Sequence, residues 1–155
     1  MDRHRSKSHF GAWEWPGFGP PSTLPDASQG TEVTKSGQRI LVAEDEPMIR
    51  GLIIEILQDL GFEILEASSG NEALKLLDHP SSVDLVVTDL NMPGADGITV
   101  AKAARDRNPT VPVLFVGGRE DMLISPRTPV PYAFLKKPFR LDELARMVRD
   151  MARHA

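Results

Sequence analysis

The sequence contains no cysteine, which excludes a disulfide framework, a thiolate metal site and a cysteine nucleophile. The sequence also has no excess of positive charge, since its formal net charge is −4, whereas a protein that neutralises nucleic-acid phosphates needs a basic face. No apolar run approaches the roughly 18 residues of a membrane-spanning helix, and no apolar signal-peptide core follows the basic start. We therefore expect a cytoplasmic protein with no nucleic-acid partner and no membrane insertion.

The chain of 155 residues divides by composition into a tail and a domain. Residues 1–38 are rich in proline and glycine and show no apolar periodicity, which predicts a flexible, disordered N-terminal tail. The tail also holds four aromatic residues close together: Phe10, Trp13, Trp15 and Phe18. Aromatic residues are uncommon in disordered segments, so a docking peptide is an alternative to an extension without a specific role. Residues 39–155 form the predicted domain.

Short β-branched runs alternate with helical spacing from Arg39 onward, which is typical of parallel βαβ units. The predicted strands are 40–43, 62–67, 83–88, 111–116 and 132–136, and the predicted helices are 47–60, 71–78, 97–107 and 141–153. The inward stripes of the first and last helices are predicted to include Leu52 and Leu141, respectively. Three prolines at 126, 129 and 131 interrupt the segment 117–131, so we expect a truncated, mobile fourth helix there, limited to 120–125. The fold class is α/β, a doubly wound five-stranded parallel sheet with helices on both faces.

Polar residues collect where the predicted strands end, the edge at which open parallel sheets bind ligands. Glu44 and Asp45 follow the first strand, Asp89 ends the third, and Lys136 and Lys137 end the fifth. Carboxylates packed closely together need a cation, and an all-oxygen set suits Mg²⁺. An aspartate in such a place can act as a nucleophile, because carboxylates form aspartyl phosphates.

Three motifs together resemble the receiver domain of two-component response regulators. They are the acidic pair Glu44-Asp45, the segment 89–97 (DLNMPGADG) and the run Lys137-Pro138-Phe139. The resemblance covers about three quarters of the chain and implies a flavodoxin-like fold. It also implies that Asp89 accepts a phosphoryl group from a histidine kinase or a histidine phosphotransfer protein.

The same resemblance assigns the surrounding residues. It implies that Mg²⁺ is bound by Asp45, Asp89, the backbone carbonyl of Asn91, and Glu44 directly or through water. The proline and phenylalanine that follow Lys137 fix the register, so Lys137 should contact the phosphoryl group. Lys136 should then point elsewhere as a solvated charge at the end of the strand.

The fourth strand departs from the receiver pattern, because Gly117 stands where a threonine or serine hydroxyl is usual. Gly118 fills the small-residue position, and the switch aromatic is Phe134, for which a plain core role is the alternative. The missing hydrogen bond is worth roughly 1.5–3 kcal/mol, against about 5.5 kcal/mol for a full two-state switch. We expect phosphorylation to persist with a weaker or differently routed readout. The strand end 115–118 is similar to that of a subgroup of single-domain receivers in alphaproteobacteria.

The leading hypothesis is a single-domain response regulator that signals to a downstream protein, because the sequence ends after the last receiver helix. It would not be an enzyme beyond slow self-dephosphorylation, and its oligomeric state is left open. One alternative is a phosphorylation-independent pseudo-receiver that acts as a binding module. A second alternative, a Mg²⁺-dependent phosphohydrolase, lacks an evident substrate pocket or second catalytic acid in so short a chain.

Overall fold

A computed structural model describes residues 37–79, 82–118 and 131–153 of the chain. The elements run β1 Arg39–Ala43, α1 Pro47–Asp59, β2 Glu63–Ala67, α2 Gly70–Leu77, β3 Leu85–Asp89, α3 Gly97–Arg107, β4 Val113–Gly117, β5 Ala133–Lys136 and α4 Leu141–Arg153. This alternation confirms the predicted α/β fold class. The predicted truncated helix at 120–125 and residues 1–36 of the predicted tail lie outside the described residues.

The five strands form one parallel sheet in the order β2-β1-β3-β4-β5. The chain winds outward from β1 in both directions, so the order reverses between β1 and β3, and ligand sites of such sheets lie at this switch point. Ala43 pairs with Thr88 across that boundary. The residues that follow β1 are therefore close to Asp89 at the end of β3.

Side chains of each strand alternate between two apolar layers, as the pleat requires. On β1, Leu41 and Ala43 face the layer covered by α2 and α3. Ile40 and Val42 face the layer covered by α1 and α4. The prediction of helices on both faces is confirmed. None of the helices in the described part of the chain combines the length and apolar character that a membrane crossing requires.

Helix α1 begins with Pro47 at its first position, where the missing N–H costs nothing. It ends at a Schellman motif, in which Gly61 has a φ of +98°. The Gly61 amide donates to the Gln58 carbonyl (2.9 Å), and the Phe62 amide donates to the Leu57 carbonyl (3.2 Å). This turn directs the chain from α1 into β2 and places the Phe62 side chain in the core.

Two apolar residues that were predicted to face inward are exposed. The exposed fraction of Leu52 is 45% and that of Leu141 is 36%. Leu52 precedes the buried Ile53 by one residue, which turns its side chain by roughly 100° away from the buried stripe. Leu141 is the first residue of α4 and lies a turn before Leu144, the first buried position of that helix.

The third and fourth strands were predicted to begin and end too early in the sequence. The third strand begins at Leu85 and includes Asp89, and the fourth runs from Val113 to Gly117. Val83 and Val111 are buried, but they lie before the paired residues. The prediction counted these buried apolar residues as part of the strands, although the hydrogen-bonded pairing begins after them.

Candidate functional site

The structure brings the three acidic residues from the ends of β1 and β3 together. One carboxylate oxygen from each of Glu44, Asp45 and Asp89 lies within 4.8 Å of the others. Glu44 and Asp89 are 1% and 7% exposed, whereas Asp45 is exposed. Parallel strands create this cluster, because their carboxyl ends meet at one edge of the sheet.

Lys137 completes the cluster from the end of β5. Its Nζ lies 3.3 Å from Glu44 Oε1 and 3.3 Å from Asp89 Oδ2. The Lys137 amide also donates to the Gly117 carbonyl (2.7 Å), which fixes the backbone of this residue beside β4. Lys136, the last residue of β5, is exposed. The register therefore places Lys137, not Lys136, beside the acids.

Burial and like charge perturb the titration of the cluster. Burial, followed by the charge of Asp89, raises the pKa of Glu44 to about 7, although the Glu46 amide and Lys137 oppose the change. Burial also raises the pKa of Asp89 against the stabilising charge of Lys137. Burial would lower the pKa of Lys137, but the charges of Asp89 and Glu44 outweigh it and raise that pKa. One ammonium group thus compensates the buried negative charge only in part.

The donor set fits a hard divalent cation. Glu44 Oε1 is buried and accepts no hydrogen bond from the described residues, although the Lys137 ammonium is 3.3 Å away. A buried carboxylate oxygen with an unused lone pair is poorly satisfied by protein alone. Oxygen ligands in a cluster of this size are those that Mg²⁺ prefers. The described residues therefore suit the ion that the sequence predicted.

The loop from β3 to α3 is held close to Asp89. A Cβ on Gly97 would lie 2.2 Å from the Asp89 carbonyl oxygen, so only glycine permits this approach. The Gly97 amide donates to the Leu90 carbonyl (2.9 Å), and the Asp96 side chain caps α3 by accepting from the Thr99 amide (2.9 Å). Asn91 lies in this tight loop, two residues after Asp89, with its side chain exposed. The role of its carbonyl as a metal ligand stays a prediction.

The predicted switch positions lie on β4 and β5. Gly117 is buried, and a Cβ there would lie 3.4 Å from both Leu90 Cβ and the Phe134 ring. A Cβ on Gly118 would meet nothing within 4 Å. Phe134 is 1% exposed and belongs to the core layer under α2 and α3. The core alternative for Phe134 therefore has direct structural support.

Two contributors to the site escaped the sequence analysis. Gly97 was named only as the end of the segment 89–97 and the start of a helix, and its contact with the Asp89 backbone is visible only in three dimensions. Arg50 on α1 donates to the Glu44 backbone carbonyl. Its position five residues after Asp45, on the first turn of a helix that begins beside the site, was the available signal.

Comparison with known proteins identifies the family. Residues 40–149 match the family model of the "Response regulator receiver domain". The response regulator receiver protein CpdR of Brucella abortus (strain 2308) is 31% identical over 117 residues, which cover 74% of this chain and 96% of CpdR. The chain belongs to the response regulator receiver domains, the receiving modules of two-component signalling.

Other relatives are longer than this chain. Sensor kinase CckA of Brucella abortus (strain 2308) is 36% identical over 115 residues, which cover 72% of this chain and 12% of CckA. The transcriptional regulatory protein PdtaR of Mycobacterium tuberculosis (strain CDC 1551 / Oshkosh) is 38% identical over 109 residues, with coverage of 69% and 53%. The chain therefore spans about half, or far less, of these proteins' own length.

Solved structures agree with this membership. A response regulator receiver protein from Sinorhizobium medicae WSM419 superimposes with a TM-score of 0.69 at 28% identity, covering 77% of this chain and 96% of that one. The response regulator TrrA of Thermotoga maritima, solved in complex with Mg(2+)-BeF, gives a TM-score of 0.65 at 34% identity, with coverage of 74% and 98%. The resemblance to receiver domains is confirmed in sequence and in fold.

Proposed function

We propose that this receiver domain accepts a phosphoryl group on Asp89 from a histidine kinase or a histidine phosphotransfer protein. In the proposed cycle the phosphorylated domain signals by binding a downstream protein. The observation that carries the proposal is the placement of Asp89: its buried carboxylate lies among two other acids and 3.3 Å from the Lys137 ammonium. That set combines a nucleophile, a cation site and a compensating charge.

The chemistry follows from these groups. An Asp89 oxygen attacks the phosphorus, a P–O bond forms, the P–N bond of the phosphohistidine breaks, and the imidazole keeps the electron pair. Lys137 would balance charge on the incoming phosphoryl oxygens. A Mg²⁺ ion held by Glu44, Asp45, Asp89 and the Asn91 carbonyl would neutralise the carboxylates and orient the phosphoryl group. TrrA, a related receiver, was solved in complex with Mg(2+)-BeF, which supports the proposal of a magnesium site in this chain.

The readout of phosphorylation is proposed to be weaker than the usual receiver switch. Gly117 offers no hydroxyl to the phosphoryl group, and Phe134 is packed in the core without one. The loss of one charge-assisted hydrogen bond, roughly 1.5–3 kcal/mol, is a large part of the energy that drives such a switch. Gly117 is also the one observation that favours the second candidate function, a pseudo-receiver that binds its partner without phosphorylation.

The decisive experiment is intact mass spectrometry after incubation with Mg²⁺ and acetyl phosphate or phosphoramidate. We expect one labile phosphoryl adduct in the wild type and none in Asp89→Asn. Asp106→Asn, which alters an exposed carboxylate on α3, is the matched control and should retain the adduct. An adduct that persists in Asp89→Asn would contradict the assignment of the phosphoacceptor.

Two further variants separate the candidate functions. Gly117→Thr restores the hydroxyl, and Gly117→Ala adds only the methyl group that the 3.4 Å contacts can accept. An adduct that forms in Gly117→Thr but in neither the wild type nor Gly117→Ala would favour the pseudo-receiver. Multiple turnover of generic phosphoesters by the wild type would instead favour a phosphohydrolase, whereas we expect none.

A further inference from the structure

Arg50 links the acidic loop after β1 to the neighbouring strand β2. Its Nη1 donates to the Glu44 backbone carbonyl (2.9 Å), and its Nε pairs with Glu66 Oε2 (2.8 Å). The Arg50 side chain is only 16% exposed. One guanidinium therefore holds two acceptors on separate segments, a use to which its rigid fork of donors is suited.

The acidic loop is also held by the Lys137 ammonium, 3.3 Å from Glu44 Oε1, and by the Arg50 amide, which donates to the Glu46 carbonyl (2.9 Å). The Glu44 amide donates to the Ala67 carbonyl (3.1 Å), and the Glu46 amide donates to Glu44 Oε2 (3.1 Å). Glu46 is the N-cap residue of α1, but its side chain makes no capping hydrogen bond. Among these contacts, the one from the Arg50 side chain holds the Glu44 carbonyl, at the peptide that joins Glu44 to Asp45.

The contact acts on position more than on charge. Arg50 donates to a backbone carbonyl, and its ion pair is with Glu66, a residue outside the acidic cluster. The charges that shift the pKa of Glu44 belong to Asp89 and Lys137. Groups that orient metal ligands without binding the ion themselves typically strengthen metal affinity, and their removal weakens it by about 10- to 100-fold.

We propose that Arg50 is a positioning residue for the magnesium site, which fixes the backbone of Glu44 and Asp45 so that both carboxylates face Asp89. This inference rests on the proposed Mg²⁺-dependent function and extends it to a residue outside the ligand set. In this proposal the guanidinium is a ligand of neither the ion nor the phosphoryl group. It sets the geometry in which the acidic pair meets them.

Arg39, at the amino-terminal end of β1, supplies a matched control. It also pairs with a β2 glutamate, Glu63 (2.9 Å), and donates to a backbone carbonyl, that of Ser82 (3.1 Å). The two arginines thus make the same kinds of contact, but Arg39 lies at the amino end of β1. Arg39→Gln removes comparable contacts without touching the acidic loop.

The test has two readouts on the folded full-length protein. The first is the Mg²⁺ dissociation constant from isothermal titration calorimetry, which should rise by about 10-fold or more in Arg50→Gln and stay unchanged in Arg39→Gln. Arg50→Lys keeps the charge but cannot span both acceptors, so most of the loss should remain. The second is the exchange rate of the Glu46 amide in metal-free protein, by NMR, which should increase in Arg50→Gln alone.

Each contrary result is distinct. Wild-type Mg²⁺ affinity in Arg50→Gln, full recovery in Arg50→Lys, or an equal loss in Arg39→Gln would overturn the positioning role. If the wild type bound no Mg²⁺, the metal site itself would fail, and unchanged Glu46 exchange in Arg50→Gln would overturn the positioning role independently. If Arg50→Gln weakens Mg²⁺ binding as expected but Asp89 of the wild type is not phosphorylated, the positioning role stands and the phosphoacceptor assignment is overturned.

Discussion

Glu44→Gln should change how the stability of the metal-free protein depends on pH. The pKa of Glu44 rises from its usual 4.5 to about 7 in the folded protein, through burial and the charge of Asp89. The folded state therefore holds this proton more tightly than the unfolded state does. The corresponding stability is fully present below pH 4.5 and is lost as the pH rises through 7.

The size of the effect follows from the same values. A carboxyl whose pKa moves this far contributes about 3 kcal/mol of stability that ionisation removes. Solvent screens this carboxylate little, because Glu44 is 1% exposed. In Glu44→Gln this group cannot ionise, so the stability of the variant should fall less with pH. The raised pKa of Asp89 acts in the same direction and remains in both proteins.

The free energies of unfolding of the wild type and Glu44→Gln can be compared by urea unfolding, followed by circular dichroism in the presence of a chelator. The measurements should cover the range from about pH 4.5 to about pH 8. We expect the free energy of unfolding of the wild type to fall relative to that of Glu44→Gln across this range. Excess Mg²⁺ should stabilise the wild type most at the upper end, where the ion no longer competes with the Glu44 proton. Parallel pH profiles for the two proteins would refute the reasoning.

Four substitutions test the packing of the fold by chemical denaturation. Gly97→Ala should destabilise the protein by about 1–3 kcal/mol or more, because its Cβ would meet the Asp89 carbonyl oxygen at 2.2 Å; wild-type stability would contradict the close approach. Gly51→Ala on the exposed face of α1 should stabilise by about 0.5–1 kcal/mol, because nothing lies within 4 Å of the new methyl group. Ile53→Ala should cost about 2–5 kcal/mol, and Leu52→Ala, its exposed neighbour, should cost far less; equal losses would contradict the orientation of α1.

Much of the fold could be predicted from the sequence because the signals were local. Helices 97–107 and 141–153 have the predicted bounds, since apolar periodicity is a signal that acts within the segment. The convergence of Asp89 with Glu44 and Asp45 followed from one topological fact, the meeting of parallel strand ends. The identity of the lysine followed from the proline that fixes its register.

The remaining features depend on contacts between distant segments. The limits of β3 and β4 depend on which of their residues pair with the neighbouring strands, and apolar character alone could not reveal them. The closeness of Gly97 to the Asp89 backbone arises from the path of a loop. The bridge from Arg50 to Glu66 joins a helix to a strand 16 residues away. No periodicity in the sequence encodes such a pair.

The contacts of Lys137 cross most of the sheet. In the order β1-β3-β4-β5, its ammonium connects the end of β5 to carboxylates after β1 and on β3. Neighbouring strands are about 4.8 Å apart, so this side chain fastens together strands that never pair with each other. Helix α4 begins at Leu141, four residues after the lysine. A change of charge at Asp89 therefore alters its ion pair with Lys137, which connects the centre of the sheet to the edge strand β5. The same change reaches the segment that leads from Lys137 into the last helix.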